Sequence, residues 1–171
     1  IAGKQILRLG IILFGFNISL GEIASVGTLG VIYTAFMVSA TFCFALFTAK
    51  ALGLSKDSAV LIGSGASICG AAAVMATQNE IKADANKLAI AICTVVLFGT
   101  IGMFIYPFIA KFLALTPHQT GFFIGGSLHE VAHVVAASAA FDSTASSTAV
   151  IIKMLRVIML CLLYTSDAAD E

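Results

Sequence analysis

Residues 63–70 read Gly63-Ser64-Gly65-Ala66-Ser67-Ile68-Cys69-Gly70, in the middle of an uncharged run that extends from 58 to 79. A run of that length can cross a bilayer as one helix, which needs about 20 apolar residues. Three glycines and two serines within eight residues do not suit an ordinary span. One reading is close helix packing through small residues. The other is a broken helix, whose second half aims its free N–H groups at an anionic group in the membrane core. Gly65 and Gly70 are five positions apart and fall on different helical faces, which does not suit a single packing seam. Spacing alone leaves both readings open.

The sequence on either side is equally apolar. Uncharged runs cover 23–49 and 88–110, and a shorter one covers 9–21. Two more apolar stretches, 121–141 and 148–163, carry charged residues inside them. The 171 residues are 60% hydrophobic and 11% charged, with a mean hydropathy of +1.05. Soluble domains run at about 45–50% apolar and about 25% charged, so much of this surface faces something other than water. The expectation is an all-α, polytopic membrane helix bundle with one or two discontinuous helices, and the lipid bilayer as its first partner. Disorder is excluded by the same figures. Nucleic acid is excluded because nine Lys and Arg cancel nine Asp and Glu, leaving no basic stripe. Cys43, Cys69, Cys93 and Cys161 lie far apart with no CxxC pair and read as small buried hydrophobes. No metal centre or cofactor is expected from them.

The last eight residues, YTSDAADE at 164–171, are polar and hold three of the nine acids. Without them, nine bases face six acids, a net of +3. The expected organisation is one transmembrane transporter domain over 1–163, a piece of a longer chain, followed by a non-native tail over 164–171. If all six elements cross the membrane, Lys4, Arg8, Lys50, Lys56 and Lys111 share one side, against Lys82 and Lys87 on the other. The excess of bases then places the first set in the cytoplasm. An element at 58–79 that enters and leaves on one side would reverse every later assignment.

The fifth element contains Ser127-Leu128-His129-Glu130-Val131-Ala132-His133. His129, Glu130 and His133 match H-E-x-x-H, whose two His share a helical face and can bind zinc, with Glu as base. An intramembrane zinc protease is therefore one alternative, although no third-ligand motif accompanies the match. Ionisable residues inside spans are costly and usually functional, so a transport-site role weighs more. Lys153 and Arg156 in the sixth element are three apart on one face, near its middle, and are expected to face the bundle interior. There is also an internal echo: Ser67, Ala72, Val74 and Ala76 recur 60 residues later as Ser127, Ala132, Val134 and Ala136. Two related elements facing each other across a substrate site would produce such a pattern.

Five stretches together resemble the sulfate exporter family, the YeiH-type bacterial inner-membrane proteins. They are LRLGIILFGFNISL at 7–20, GSGASICGAAAVMAT at 63–77, AICTVVLFGTIGMFIYP at 91–107, GGSLHEVAHVVAA at 125–137 and AVIIKMLRVIML at 149–160. The resemblance implies a multi-pass transporter of the bacterial inner membrane. Its architecture would be that of cation/proton antiporters and bile-acid symporters, with inverted repeats and helices broken at mid-membrane. Many family members have Gln at the position of His133, which makes the H-E-x-x-H match incidental. Combined with the residues themselves, the expected function is secondary transport of a small anionic solute. Gly63, Ser64, Gly65, Ser67, Gly70 and Ser127 would supply backbone and hydroxyl groups, and Lys153 and Arg156 positive charge. His129 and Glu130 would tune the site or carry a coupled proton or sodium ion. A cation/proton antiporter, with Glu130 binding the cation and Lys153 competing, is the other alternative; a homo-oligomer is compatible with either.

Overall fold

The computed structural model describes residues 20–167, with side chains over 27–158. The expected element at 9–21 and residues 168–171 of the suspected tail lie outside the described residues, apart from residues 20 and 21. The described chain forms seven helices and no strand. They are α1 (Leu20–Ala51), α2 (Lys56–Ser67), α3 (Ala71–Ile81), α4 (Ala85–Phe112), α5 (Pro117–Ser127), α6 (Val131–Ser138) and α7 (Ser143–Asp167). The fold is an all-α membrane helix bundle. Gly27–Ala51 within α1 and the 28-residue α4 are each long and apolar enough to cross a bilayer. Their outward faces show Phe36, Phe44 and Phe47 on α1 and Phe98, Phe104, Phe108 and Phe112 on α4, the last 90% exposed. Lys153 and Arg156, by contrast, are 0% and 1% exposed. Rings outside and cations inside is a distribution that lipid, not water, stabilises.

Helix ends follow from local chemistry. Ser55 caps α2 by accepting from the Ser58 N–H. Thr116 and Gln119 close a reciprocal capping box on α5, whose first residue is Pro117. The run at 58–79 is broken, as the glycine- and serine-rich stretch allows: α2 stops at Ser67 and α3 starts at Ala71. Gly70 at the joint has φ +78°, where a side chain would be strained.

The two halves do not continue in line. In a straight helix, residues nine apart are about 13 Å apart along the axis. Here a Cβ on Gly65 would stand 2.5 Å from Val74 Cγ2, so α3 folds back beside α2. Leu61, Val74, Ala83, Ala91 and Val95 accordingly share one core cluster. Lys87 at the start of α4 bonds Asp57 at the start of α2, 2.6 Å away, so the pair enters and leaves at the same end. The second broken pair repeats this. Thr148 of α7 meets His118 of α5 at 3.4 Å, and Ser138 at the end of α6 meets Ser146 at the start of α7. The α5–α6 pair therefore also returns to the end from which it came. At that end Lys111, near the close of α4, stands over the Phe141 ring.

The helices repeat with a period of about 60. α2, α3 and α4 start at 56, 71 and 85; α5, α6 and α7 start at 117, 131 and 143. The breaks match residue for residue: helices end at Ser67 and Ser127 and resume at Ala71 and Val131. Each unit is a returning hairpin plus one long helix. A unit with one long traverse delivers the chain to the opposite end, so the second hairpin enters head-on to the first. The four-residue echo in the sequence thus marks a duplicated unit of inverted direction. The expected side assignment changes accordingly. Lys50, Lys56, Lys82 and Lys87 lie at one end and Lys111 at the other, because 58–79 makes a hairpin instead of a crossing.

Candidate functional site

The two breaks meet at the centre of the bundle. A helix leaves its last four carbonyls without intrahelical partners, and at these breaks they have no water to turn to. For α2, the Ser64 carbonyl accepts from the Ile68 N–H and the Gly65 carbonyl from the Gly70 N–H. The next two, Ala66 and Ser67, accept from Arg156 Nη2 at 2.9 and 2.6 Å. Arg156 Nε adds a second bond to Ser67, at 3.0 Å. For α5, the Ile124 carbonyl accepts from the Leu128 N–H, and Arg156 Nη1 reaches the carbonyls of Gly125, Gly126 and Leu128 at 3.2, 2.6 and 3.2 Å. Ala66 and Gly126 are 60 apart, so one guanidinium serves equivalent positions in both units.

Lys153, one turn earlier on α7, does the same for the next carbonyls. Its Nζ donates to the Ile68 carbonyl at 2.9 Å and to the Leu128 carbonyl at 2.8 Å, again 60 apart. The two cations thus seal the negative ends of both half-helices. Only the second unit provides them: the equivalent positions in α4 are Cys93 and Val96.

The positive ends of the other half-helices, α3 and α6, lie on the far side of the breaks. No side chain caps either one. Their first intrahelical bonds are Val74 N–H to the Gly70 carbonyl and Val134 N–H to the Glu130 carbonyl, which leaves the preceding N–H groups free. Glu130 occupies the N-cap position of α6 and also touches the N-cap of α3: a Cβ on Gly70 would stand 3.2 Å from its Oε1. One carboxylate therefore faces both positive ends. His133 Nδ1 is 3.9 Å from Glu130 Oε2, beyond hydrogen-bond reach, while its Nε2 meets Thr100 Oγ1 at 3.3 Å. The Nδ1 atoms of His129 and His133 are buried with no hydrogen-bond partner in the structure.

The residues singled out from the sequence fall into distinct places. Gly70, His129 and Glu130 converge on the uncapped N-termini, whereas Lys153 and Arg156 sit at the C-termini. Ser67 and Ser127 are the last helical residues of α2 and α5. The hydroxyls of Ser64 and Ser67 donate to the carbonyls of Leu61 and Ser64 in their own helix. Gly63 packs on Phe42, away from the breaks, whereas Gly65 packs on Val74 and Val95 and its carbonyl accepts from the Gly70 N–H across the first break. Lys153 and Arg156 bond carbonyls and form no ion pair with Glu130. The H-E-x-x-H geometry is not formed, because α6 begins at Val131 and His129 lies in the break instead of one turn before His133. Among the described residues, no third His, Cys, Asp or Glu joins the two imidazoles. Gly99 and Thr100 of α4, which wall the His133 ring, carry no signal in the sequence that would single them out.

The chain is similar to curated bacterial proteins. It is 48% identical over 162 residues to the UPF0324 inner membrane protein YeiH of Salmonella typhi and, equally, of Escherichia coli strain K12. Each match covers 93% of this chain and 46% of the relative. A UPF0324 membrane protein of Bacteroides thetaiotaomicron is 43% identical over 159 residues, which is 92% of this chain and 47% of that one. The chain therefore spans about half the length of these relatives. No solved structure matches. The family model described as Conserved hypothetical protein 698 matches residues 1–165. With nearly every residue covered and inner membrane proteins as its relatives, the chain belongs to that family of membrane proteins.

Proposed function

We propose that the protein is a secondary transporter of the bacterial inner membrane, moving a small anionic solute that binds between the N-terminal ends of α3 and α6. The observation that carries this reading is the charge balance where the breaks meet. Two positive and two negative helix ends, about half a charge each, cancel to first order. What remains is Lys153 and Arg156 against Glu130, a net of about +1 with all three ionised. A low-dielectric site with spare positive charge and free N–H groups favours an anion. His129, which lies in the break with an unpartnered ring nitrogen, is placed to bond the solute or its water.

Glu130 supplies the coupling. Its carboxylate faces the same two positive ends that the solute needs, so the two anions compete for one place. A proton on Glu130 removes the competitor and raises the net charge by one, so solute and proton travel together. The inverted hairpins provide the path: one opens from each end, and rocking one unit against the other exposes the shared centre alternately. The cytoplasmic side is the end holding Lys50, Lys56, Lys82 and Lys87, by the excess of bases there. Sulfate is suggested by the family resemblance, and sulfate with other small oxyanions is the first set to try.

The test is flux of labelled oxyanions into vesicles holding the intact protein, with and without a proton gradient. Wild type is expected to accumulate solute when a gradient is imposed. Glu130→Gln is expected to exchange solute across the membrane but to lose the response to the gradient. Gradient-driven uptake by Glu130→Gln equal to wild type would remove Glu130 from the coupling. Absence of flux for every oxyanion by wild type would overturn the anion reading.

A further inference from the structure

Lys153 is held in an unusual way for a buried lysine. It is fully buried and forms no ion pair, and its Nζ donates to two backbone carbonyls. A carboxylate partner would make it one half of a salt bridge. Carbonyl oxygens at two converging helix C-termini are instead what proteins offer a free monovalent cation, as in carbonyl-lined ion sites and the unwound helices of ion-coupled transporters. The two oxygens belong to Ile68 and Leu128, equivalent residues of the two units, so the seat is a product of the duplication itself. The lysine that fills it comes from one unit only, since the equivalent position in α4 is Cys93.

We propose that the carbonyls of Ile68 and Leu128 form a monovalent-cation site in which Lys153 acts as a tethered ammonium ion. The protein carries its own cation and has no need of a bound one at this place. The N···O distances of 2.9 and 2.8 Å suit an ammonium-sized ion, so NH4+ and K+ fit the vacated seat better than the smaller Na+. Removing the side chain back to its Cβ opens both the seat and the channel that the lysine stem fills. A cation then has to come from solution to hold the two half-helix ends. This inference concerns the ends of the helices and stands whatever solute the protein carries.

The experiment is a thermal melt of the intact purified protein as wild type, Lys153→Ala and Lys153→Met, followed by circular dichroism. Each is measured at constant ionic strength in choline, sodium, potassium, ammonium or methylammonium chloride. Wild type is expected to melt at one temperature in all five salts. Lys153→Ala is expected to melt lowest in choline and to recover saturably with ammonium and potassium. The recovery should be roughly 5 °C or more at a hundredfold excess over the dissociation constant. Lys153→Met, whose thioether stem refills the channel without charge, is expected to stay low in every salt. Recovery of both variants alike, recovery of Lys153→Ala in choline, or failure of Lys153→Ala to fold in any salt would each overturn the proposal. Because melting is the readout, a negative result here is distinguishable from a failed anion-flux assay.

Discussion

Replacing Arg156 with Met removes the group that joins the two hairpins while keeping most of the apolar stem. In the structure the guanidinium is the partner of four carbonyls, those of Ala66, Ser67, Gly125 and Gly126, and shares a fifth, Leu128, with Lys153. The first four, of which Ser67, Gly125 and Gly126 are buried and Ala66 half-buried, are left without a donor in the variant. An orphaned buried polar group costs about 1–3 kcal/mol. Taking the low end, because water can enter a gap left by a guanidinium, the loss is about 4 kcal/mol. For a chain of this size that corresponds to a fall in melting midpoint of roughly 8–16 °C. Arg156→Lys, which offers three donors in place of five, should fall between the two. Lys56→Met is the control, since its side chain is exposed at the start of α2 and its loss should stay within about 0.5 kcal/mol. The assay is thermal melting of the intact protein in detergent, with monodispersity checked by gel filtration. If Arg156→Met melts within about 2 °C of the parent, the carbonyl accounting is wrong.

Gly65→Ala should destabilise by about 1–3 kcal/mol, because the new Cβ would stand 2.5 Å from Val74 and 2.8 Å from Val95. Melting measures the loss, and Val74→Ala added to it should restore part; no restoration would place α3 elsewhere. Gly70→Ala forces a side chain to φ +78° and ψ −137°, against Glu130, at a strain of about 1–3 kcal/mol. It should also lose oxyanion flux, and unimpaired flux would separate this joint from the site. Lys87→Ala should cost no more than about 1 kcal/mol, since its pair with Asp57 is a third to a half exposed, and the cost should shrink at high salt. A larger, salt-independent loss would mean that the pair is buried in the membrane. His133→Gln keeps a group able to reach Thr100 and should transport as wild type does; loss of flux together with stoichiometric zinc in the parent would revive the hydrolase reading.

What could be read from the sequence was the part that composition and period encode. Uncharged runs gave the long helices, and the cluster at 63–70 gave a break, which falls at its C-terminal edge, residues 68–70. Lys153 and Arg156 were legible as interior charges because nothing else explains bases amid Ile151, Ile152, Val157 and Ile158. The direction of the chain after a break was not legible. Residues 58–79 are long enough for a straight crossing, and hydropathy is blind to whether Val74 lies beyond Gly65 or beside it. The partners of the two bases were likewise hidden, because backbone carbonyls are the same in every sequence. They become special only where helices end, and the second ending, at 128–130, sits within a motif that reads as continuous helix. Conversely, the four-residue echo was a stronger signal than its length suggested, since it coincides with both helix ends in both units.

The central claim is that two broken hairpins enter from opposite sides and meet at a shared centre, and side-specific cysteine labelling tests it most directly. In intact protein freed of its native cysteines, single cysteines at Leu54, Asp84, Leu115 and Ala140 sample the loops before and after each hairpin. The account predicts that a membrane-impermeant thiol reagent reaches 54 and 84 from one side only, and 115 and 140 from the other side only. Labelling of 54 and 84 from opposite sides would make 58–79 a simple crossing and contradict the account.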